Sequence, residues 1–259
     1  MVRGLDKFRE HFSGFEDHYV IIGGTACEIA LRNTDMLPRA TDDIDMILVV
    51  EKMTSEFGKR FWEFIVSGDY KSRQRYCGDK KPRAELFRFI HPKEGFPIQI
   101  ELLSKRPYIL SKPTGFLLTP IPFDDEISSL SAILLDEDYY NQSIEGSVIE
   151  NGIRIASPLS LICLKIKAFL NLTEEKKTNP TIHNSDIKKH RDDVFKLLAM
   201  RIDPFTSIEL TANIKTCIND FIGLIEESLP NKSLQDSLQR TDREIQGYLD
   251  IMKEIFGLK

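Results

Sequence analysis

Two stretches decide how this chain is read: Tyr19-Val20-Ile21-Ile22-Gly23-Gly24-Thr25 and Arg39-Ala40-Thr41-Asp42-Asp43-Ile44-Asp45. The first is an apolar run that ends on two glycines, as a buried strand does when it turns into a helix. Without a Cβ, a Gly-Gly turn lets backbone N–H groups approach a phosphate closely, and the helix that follows points its positive end at it. The second stretch leads into Ile44-Asp45-Met46-Ile47-Leu48-Val49-Val50, another strand pattern. Strand positions i and i+2 share a face, so Asp43 and Asp45 project side by side while Asp42 points away. Two adjacent carboxylates have no use in an apolar core. They suit a hard divalent cation such as magnesium, which takes one or two carboxylates together with substrate phosphates.

Working outward, the first half alternates helix and strand. Residues 4–16 and 54–67 read as amphipathic helices, the latter with Phe57, Phe61, Phe64 and Ile65 on one stripe and Trp62 beside them. That stripe is helix packing rather than a base-stacking platform. Strands are expected at 18–23, 44–50, 84–90 and 98–103, with a helix from about Thr25 to Asn33. Weaker strand signals lie at 131–135, 144–149 and 152–156, the last two joined by Asn151-Gly152. From Ser157-Pro158 onward the periodicity is helical, with helices expected at 158–171, 184–200, 206–229 and 232–257. Ser157 is placed to cap the first of these, and Pro158 suits its first turn. The expected fold class is therefore mixed α/β: a domain over 1–156 with a central mixed sheet, followed by a helical bundle over 157–259.

Composition sets outer limits. The 259 residues are 41% hydrophobic and 29% charged, with a formal net charge of −5, which suits an ordinary globular protein and no general polyanion binder. The acidic excess lies wholly in residues 1–155, with 20 basic against 25 acidic side chains. No apolar run approaches the length of a membrane span, and the polar N-terminus does not resemble a signal peptide. Cys27, Cys77, Cys163 and Cys217 show no metal spacing and read as reduced thiols, which together point to a cytoplasmic protein. His11, His18, His91 and His183 have no partner spacing and read as surface or loop residues. No Ser-His-Asp order, Walker-type loop or HExxH motif is present. Residues 71–93 hold eight Lys or Arg (Lys71, Arg73, Arg75, Lys80, Lys81, Arg83, Arg88 and Lys93) against Asp79 and Glu85. Two readings stand for that segment: a surface that meets phosphates, or a solvated loop whose charges protect a sheet edge.

A third carboxylate would complete a two-metal site. Glu101, inside Pro97-Ile98-Gln99-Ile100-Glu101-Leu102-Leu103, is the candidate metal ligand or general base, because an acid within a strand-like run is costly when unpaired. The alternation of Ile98, Ile100 and Leu102 equally allows a surface-facing residue.

Gly23-Gly24-Thr25 together with Arg39-x-Thr41-x-Asp43-Ile44-Asp45 resembles the AbiEii-type nucleotidyltransferases, toxins of bacterial toxin–antitoxin and abortive-infection systems within the DNA polymerase β-like superfamily. Two further elements follow in the family's order: Lys165-Ile166-Lys167-Ala168-Phe169, and Lys188-Lys189-His190-Arg191-Asp192-Asp193-Val194-Phe195. The likeness spans roughly residues 18–200. It departs at the phosphate turn, where relatives carry Gly-Ser, and at His190, where relatives carry an acid. The resemblance implies transfer of a nucleoside monophosphate from an NTP to an acceptor hydroxyl, plausibly on a tRNA-like RNA, with one or two magnesium ions. On this resemblance Asp43, Asp45 and Glu101 are the metal ligands and catalytic acids. Gly23, Gly24, Thr25, Arg39 and Thr41 serve the nucleotide, Lys165 reaches the phosphates, and Asp193 orients Lys165 or sits near the acceptor. A cognate antitoxin would be the protein partner. The alternatives are a transferase acting on a small aminoglycoside-like acceptor, and a nucleotide-binding interaction protein without turnover.

Overall fold

The computed structural model describes residues 2–32, 34, 38–72, 85–104, 133, 136–200 and 209–258. The fold is mixed α/β. Two compact units are present: Met1–Ile29, Arg39–Leu135 and Ser147–Ala156 form one, and Ala30–Pro38, Asp136–Gly146 and Ser157–Lys259 form the other.

The first unit is built on a mixed sheet. Its strands are β1 (Tyr19–Ile22), β2 (Asp43–Leu48), β3 (Lys71–Ser72), β4 (Glu85–Ile90), β5 (Gln99–Ser104), β6 (Ser147–Glu150) and β7 (Ile153–Ala156), in the order β3-β4-β5-β2-β1-β7-β6. β2 runs parallel to β5 and antiparallel to β1, while β4 is antiparallel to β5.

Register separates the two faces of this sheet, because paired residues point the same way. One face carries Tyr19, Ile21, Ile44, Met46, Ile100, Leu102, Phe87 and Phe89, all buried. Helices α1 (Leu5–His11) and α3 (Ser55–Ser67) cover it. Phe8 meets Tyr19 edge-on at 5.4 Å, Phe61 meets Phe89 at 5.6 Å, and Trp62 meets Phe89 at 6.0 Å. Each such ring buries a large apolar area, and tilted or edge-on pairs add about 0.5–1.5 kcal/mol. α3 begins as its sequence dictates, with the Thr54 hydroxyl accepting from the Phe57 amide at 3.1 Å. Two histidines read as surface or loop residues are half-buried against this cluster. His18 stacks on Phe57 at 5.1 Å, and the His11 ring bonds the Arg60 carbonyl at 2.8 Å.

The opposite face, at the N-terminal ends of β2 and β5, carries Asp43, Asp45, Gln99, Glu101 and Arg88. α2 (Gly23–Leu31) starts directly at the end of β1, two residues earlier than expected.

The second unit is helical: α4 (Glu137–Glu145), α5 (Pro158–Glu175), α6 (Asn184–Leu198), α7 (Ala212–Ser228), α8 (Lys232–Leu238) and α9 (Asp242–Ile255). Four expectations are corrected here. Residues 144–146 close a helix rather than open a strand, because Asp136 caps α4 by accepting from the Asp138 amide at 2.9 Å. Ile133, the described residue of 131–135, is helical rather than extended. The helix expected over 206–229 begins at Ala212, with Thr211 as its cap, and residues 201–208 lie outside the described residues. The run 232–257 is two helices, since Gln239 takes a left-handed φ of 54° and Thr241 with Glu244 forms a capping box for the next. Ser157 caps α5 as expected, accepting from the Ser160 amide at 3.2 Å.

Among the described residues no helix is long and apolar enough to cross a membrane. Cys27, Cys163 and Cys217 are buried thiols, and Cys77 lies outside the described residues.

Candidate active site

The glycine turn and the carboxylates converge at one end of the polar sheet face. Antiparallel pairing sets Ile22 opposite Asp45, so the turn that leaves β1 lies beside the Asp45 side chain. Gly23 has φ +70°, and a Cβ built there would fall on the Asp45 carboxylate. Both features demand glycine, the first because a left-handed backbone costs an L-residue roughly 1–2 kcal/mol. Gly24 is enclosed differently: a Cβ there would lie 3.0 Å from Thr41 Oγ1 and 3.3 Å from Arg39 Nη2. Arg39 and Thr41 therefore flank the turn, and a guanidinium at the start of a helix favours an anionic ligand twice over. Asp42, just before β2, is exposed, in keeping with its reading as a solvent or turn residue.

Thr25 takes a different part from the one read in sequence. It is fully buried, and its hydroxyl donates to the carbonyl of Asp43. It ties the first turn of α2 to the start of β2 and fixes the distance between the glycines and the carboxylates.

Asp43 and Asp45 share the face and are half-buried. Burial pushes the Asp43 carboxyl above its ordinary range, and the charge of Asp42 pushes it further. Arg88 and Arg39 pull it back. A partly desolvated carboxylate with its neighbour two residues along is poised to be neutralised by a cation.

Glu101 sits on the same face, directly across the parallel pair from Asp45, and is 4% exposed. It is not the surface-facing residue that the strand pattern also allowed. Its Oε1 accepts from Arg88 Nε at 2.8 Å and from Gln99 Nε2 at 2.9 Å. Among the described residues no three His, Cys, Asp or Glu side chains are grouped to hold a metal ion. The donor set that fits a divalent cation is the Asp43–Asp45 pair beside the glycine turn.

Arg88 was read only as part of the basic segment 71–93. Its side chain lies in the sheet face against Glu101 and is 13% exposed, so it is not a surface contact for an acceptor. The pairing was discoverable. Ile90 pairs with Gln99 across the 91–98 connection, and two residues further along each strand stand one Arg and one Glu. Residues 73–84, which hold the remaining arginines of that segment, lie outside the described residues.

Lys165 and Asp193 belong to the second unit. Lys165 Nζ donates to Asp193 Oδ2 at 2.7 Å, and both are buried between α5 and α6, with His190 and Arg191 also buried on α6. The resemblance has Asp193 orient Lys165 toward phosphates, and the two side chains are in contact, joining two helices.

No protein-family model matches the chain, and no curated protein matches it significantly. Two solved structures from Helicobacter pylori are similar along its length. One, a provisionally assigned nucleotidyltransferase, is 13% identical over 97% of this chain and 95% of its own, with a TM-score of 0.37. The other, the protein JHP933, is 13% identical over 97% and 94%, with a TM-score of 0.36. At TM-scores this low neither likeness carries an argument about activity, which rests on the residues of the site itself.

Proposed function

We propose that the chain is an NTP-dependent nucleotidyltransferase. One observation carries the reading: the glycine turn has no room for a Cβ because the Asp45 carboxylate lies against it. A phosphate cradle and a cation-binding pair are thereby adjoined, as transfer of a nucleotidyl group requires. The N–H groups opening α2 and the Arg39 guanidinium would hold the triphosphate, and Asp43 and Asp45 would hold magnesium. That ion would neutralise phosphate charge and align the α-phosphate for in-line displacement. The acceptor hydroxyl forms its bond to the α-phosphorus, its proton leaves to solvent, and the bond to pyrophosphate breaks. Thr25 and Thr41 position the turn without reacting.

The finer reading is an RNA acceptor with a tRNA-like end, in a cytoplasmic toxin of a toxin–antitoxin or abortive-infection pair whose antitoxin is a separate protein. The Arg39-x-Thr41-x-Asp43-Ile44-Asp45 element supports it. The test is transfer of label from each α-³²P NTP, with magnesium, into total cellular RNA, for wild type beside Asp45→Asn. Label in RNA that falls by about 10³-fold in the variant, roughly 4 kcal/mol of transition-state stabilisation, is expected. Label surviving in Asp45→Asn would defeat the assignment of the site.

A second reading, a small cationic acceptor, is favoured by the acidic excess of residues 1–155, 25 acidic against 20 basic side chains. Label in an aminoglycoside and none in RNA would select this reading.

A further inference from the structure

We infer that the helical unit carries a binding site for a linear polyamine, in the cleft between α4 and the residues that lead into α7. The site is separate from the carboxylate face of the sheet and needs no part of it.

The cleft holds about 490 Å³ and lies wholly within the second unit. α4 supplies one wall with Asp138, Asn141, Gln142 and Glu145, and Glu209 stands in the other with Thr211. The spacing 138-141-142-145 is one face of a helix. Acids alone would describe a solvated face, but two features of this one ask for a cation. The first is Gln142, 5% exposed at the centre of the stripe, with neither Oε1 nor Nε2 hydrogen-bonded among the described residues. A buried amide left unpaired is costly, and the cost remains until a partner arrives. The second is Glu145, the last residue of α4, where the helix dipole disfavours an acid. That turn holds no basic residue to offset it. Among the described residues that line the cleft there is no Lys, Arg or His.

Spacing selects the class of cation. The acids do not converge on a point, and among the described residues no three His, Cys, Asp or Glu are grouped for a metal ion. Their charge is spread as an extended cation requires. Along α4, Gln142 stands about 6 Å from Asp138 and about 4.5 Å from Glu145. A linear triamine with one butyl and one propyl spacer carries its amines at comparable intervals: an ammonium for each acid, and a central amine that donates to Gln142 Oε1 once that side chain turns to the cleft it lines. Asp138 Oδ2 accepts from the Thr211 hydroxyl at 2.9 Å, which ties the two walls together and leaves the other oxygen for the ligand. Glu209 adds charge from the opposite wall.

Spermidine titration by calorimetry on the full chain tests this, with thermal melts of each ligand-free protein alongside. Wild type is expected to bind one spermidine with a dissociation constant below about 1 mM. Glu145 and Glu209 are exposed, so their variants keep the fold. Glu145→Gln and Glu209→Gln should each weaken binding about threefold, and the double variant about tenfold. Gln142→Met should weaken it about tenfold yet melt at or above wild type, because it removes an unpaired buried amide. Glu227→Gln, an exposed acid of α7 outside the cleft, should bind as wild type does.

No spermidine binding by wild type would overturn the inference, and so would a Gln142→Met protein with unchanged affinity. Equal weakening by Glu227→Gln and Glu145→Gln would reduce the binding to general attraction by an acidic chain. Binding lost in Asp45→Asn would move the ligand to the sheet, and either result discards the cleft.

Discussion

Two buried ion pairs, one in each unit, look alike in chemistry and differ in company. Lys165–Asp193 joins α5 to α6, two helices whose buried residues are mostly apolar but include His190 and Arg191. Arg88–Glu101 joins β4 to β5 and continues along its row to Asp45, with Asp43 beside it. The first pair is a cross-helix tie within the helical unit. The second is the edge of a carboxylate surface formed by Asp43, Asp45 and Glu101. Burial and short distance are common to both, so neither marks function. The neighbouring aspartates and the adjoining glycine turn do.

The comparison breaks first at the helical pair, where the largest effect on stability is expected. Lys165→Met leaves Asp193 buried without its cation and should cost about 3–5 kcal/mol. At roughly 2–4 °C per kcal/mol for a chain of this size, Tm should fall by about 10 °C. The double variant Lys165→Met/Asp193→Leu should recover most of the loss. A double variant as unstable as the single would show that the pair does more than satisfy itself.

Gly23→Ala comes next. It should cost about 1–2 kcal/mol for its left-handed backbone, and it drives a methyl group into Asp45. Mn²⁺ and nucleotide affinity should both fall more than tenfold, with a Tm loss smaller than that of Lys165→Met. Unchanged affinity would separate the turn from the carboxylates.

The smallest effect sharpens the comparison by its sign. Burial raises the Asp43 carboxyl in the folded chain, so the folded state holds its proton more tightly than the unfolded one. Ionised Asp43 therefore opposes folding above the raised value, and this penalty disappears as pH falls below the unfolded value of about 3.9. Asp43→Asn should raise Tm slightly at neutral pH without metal, show no gain near pH 3, and lose Mn²⁺ binding. A drop in Tm at neutral pH would mean that Asp43 stabilises the fold as Asp193 does.

Much of the first unit was legible because its signals are local. The apolar run 19–22, the Asp43/Asp45 alternation and the Phe57–Phe61–Phe64 stripe each state a period, and the structure follows it. The glycine turn could be read because close approach to a ligand or side chain leaves no other residue able to serve. Elements failed where caps outweighed periodicity. Asp136 and Gly146 bound a helix that takes in residues 144 and 145, read as the start of a strand, and Gln239 broke a run whose spacing suggested one helix.

The sequence by itself determined the alternating strands and helices, the shared face of Asp43 and Asp45, and the need for glycine at 23, since each depends on residues within a turn or two of one another. Only the tertiary structure decided what Glu101 does. Its partner is chosen by which strands lie either side of β5, and that order, β4-β5-β2, puts a cation on one flank and a carboxylate on the other. It likewise decided that Lys165 faces Asp193 across two helices. Long-range pairing sets the electrostatic company of a charged side chain, and that company determines whether it holds the fold together or serves a ligand.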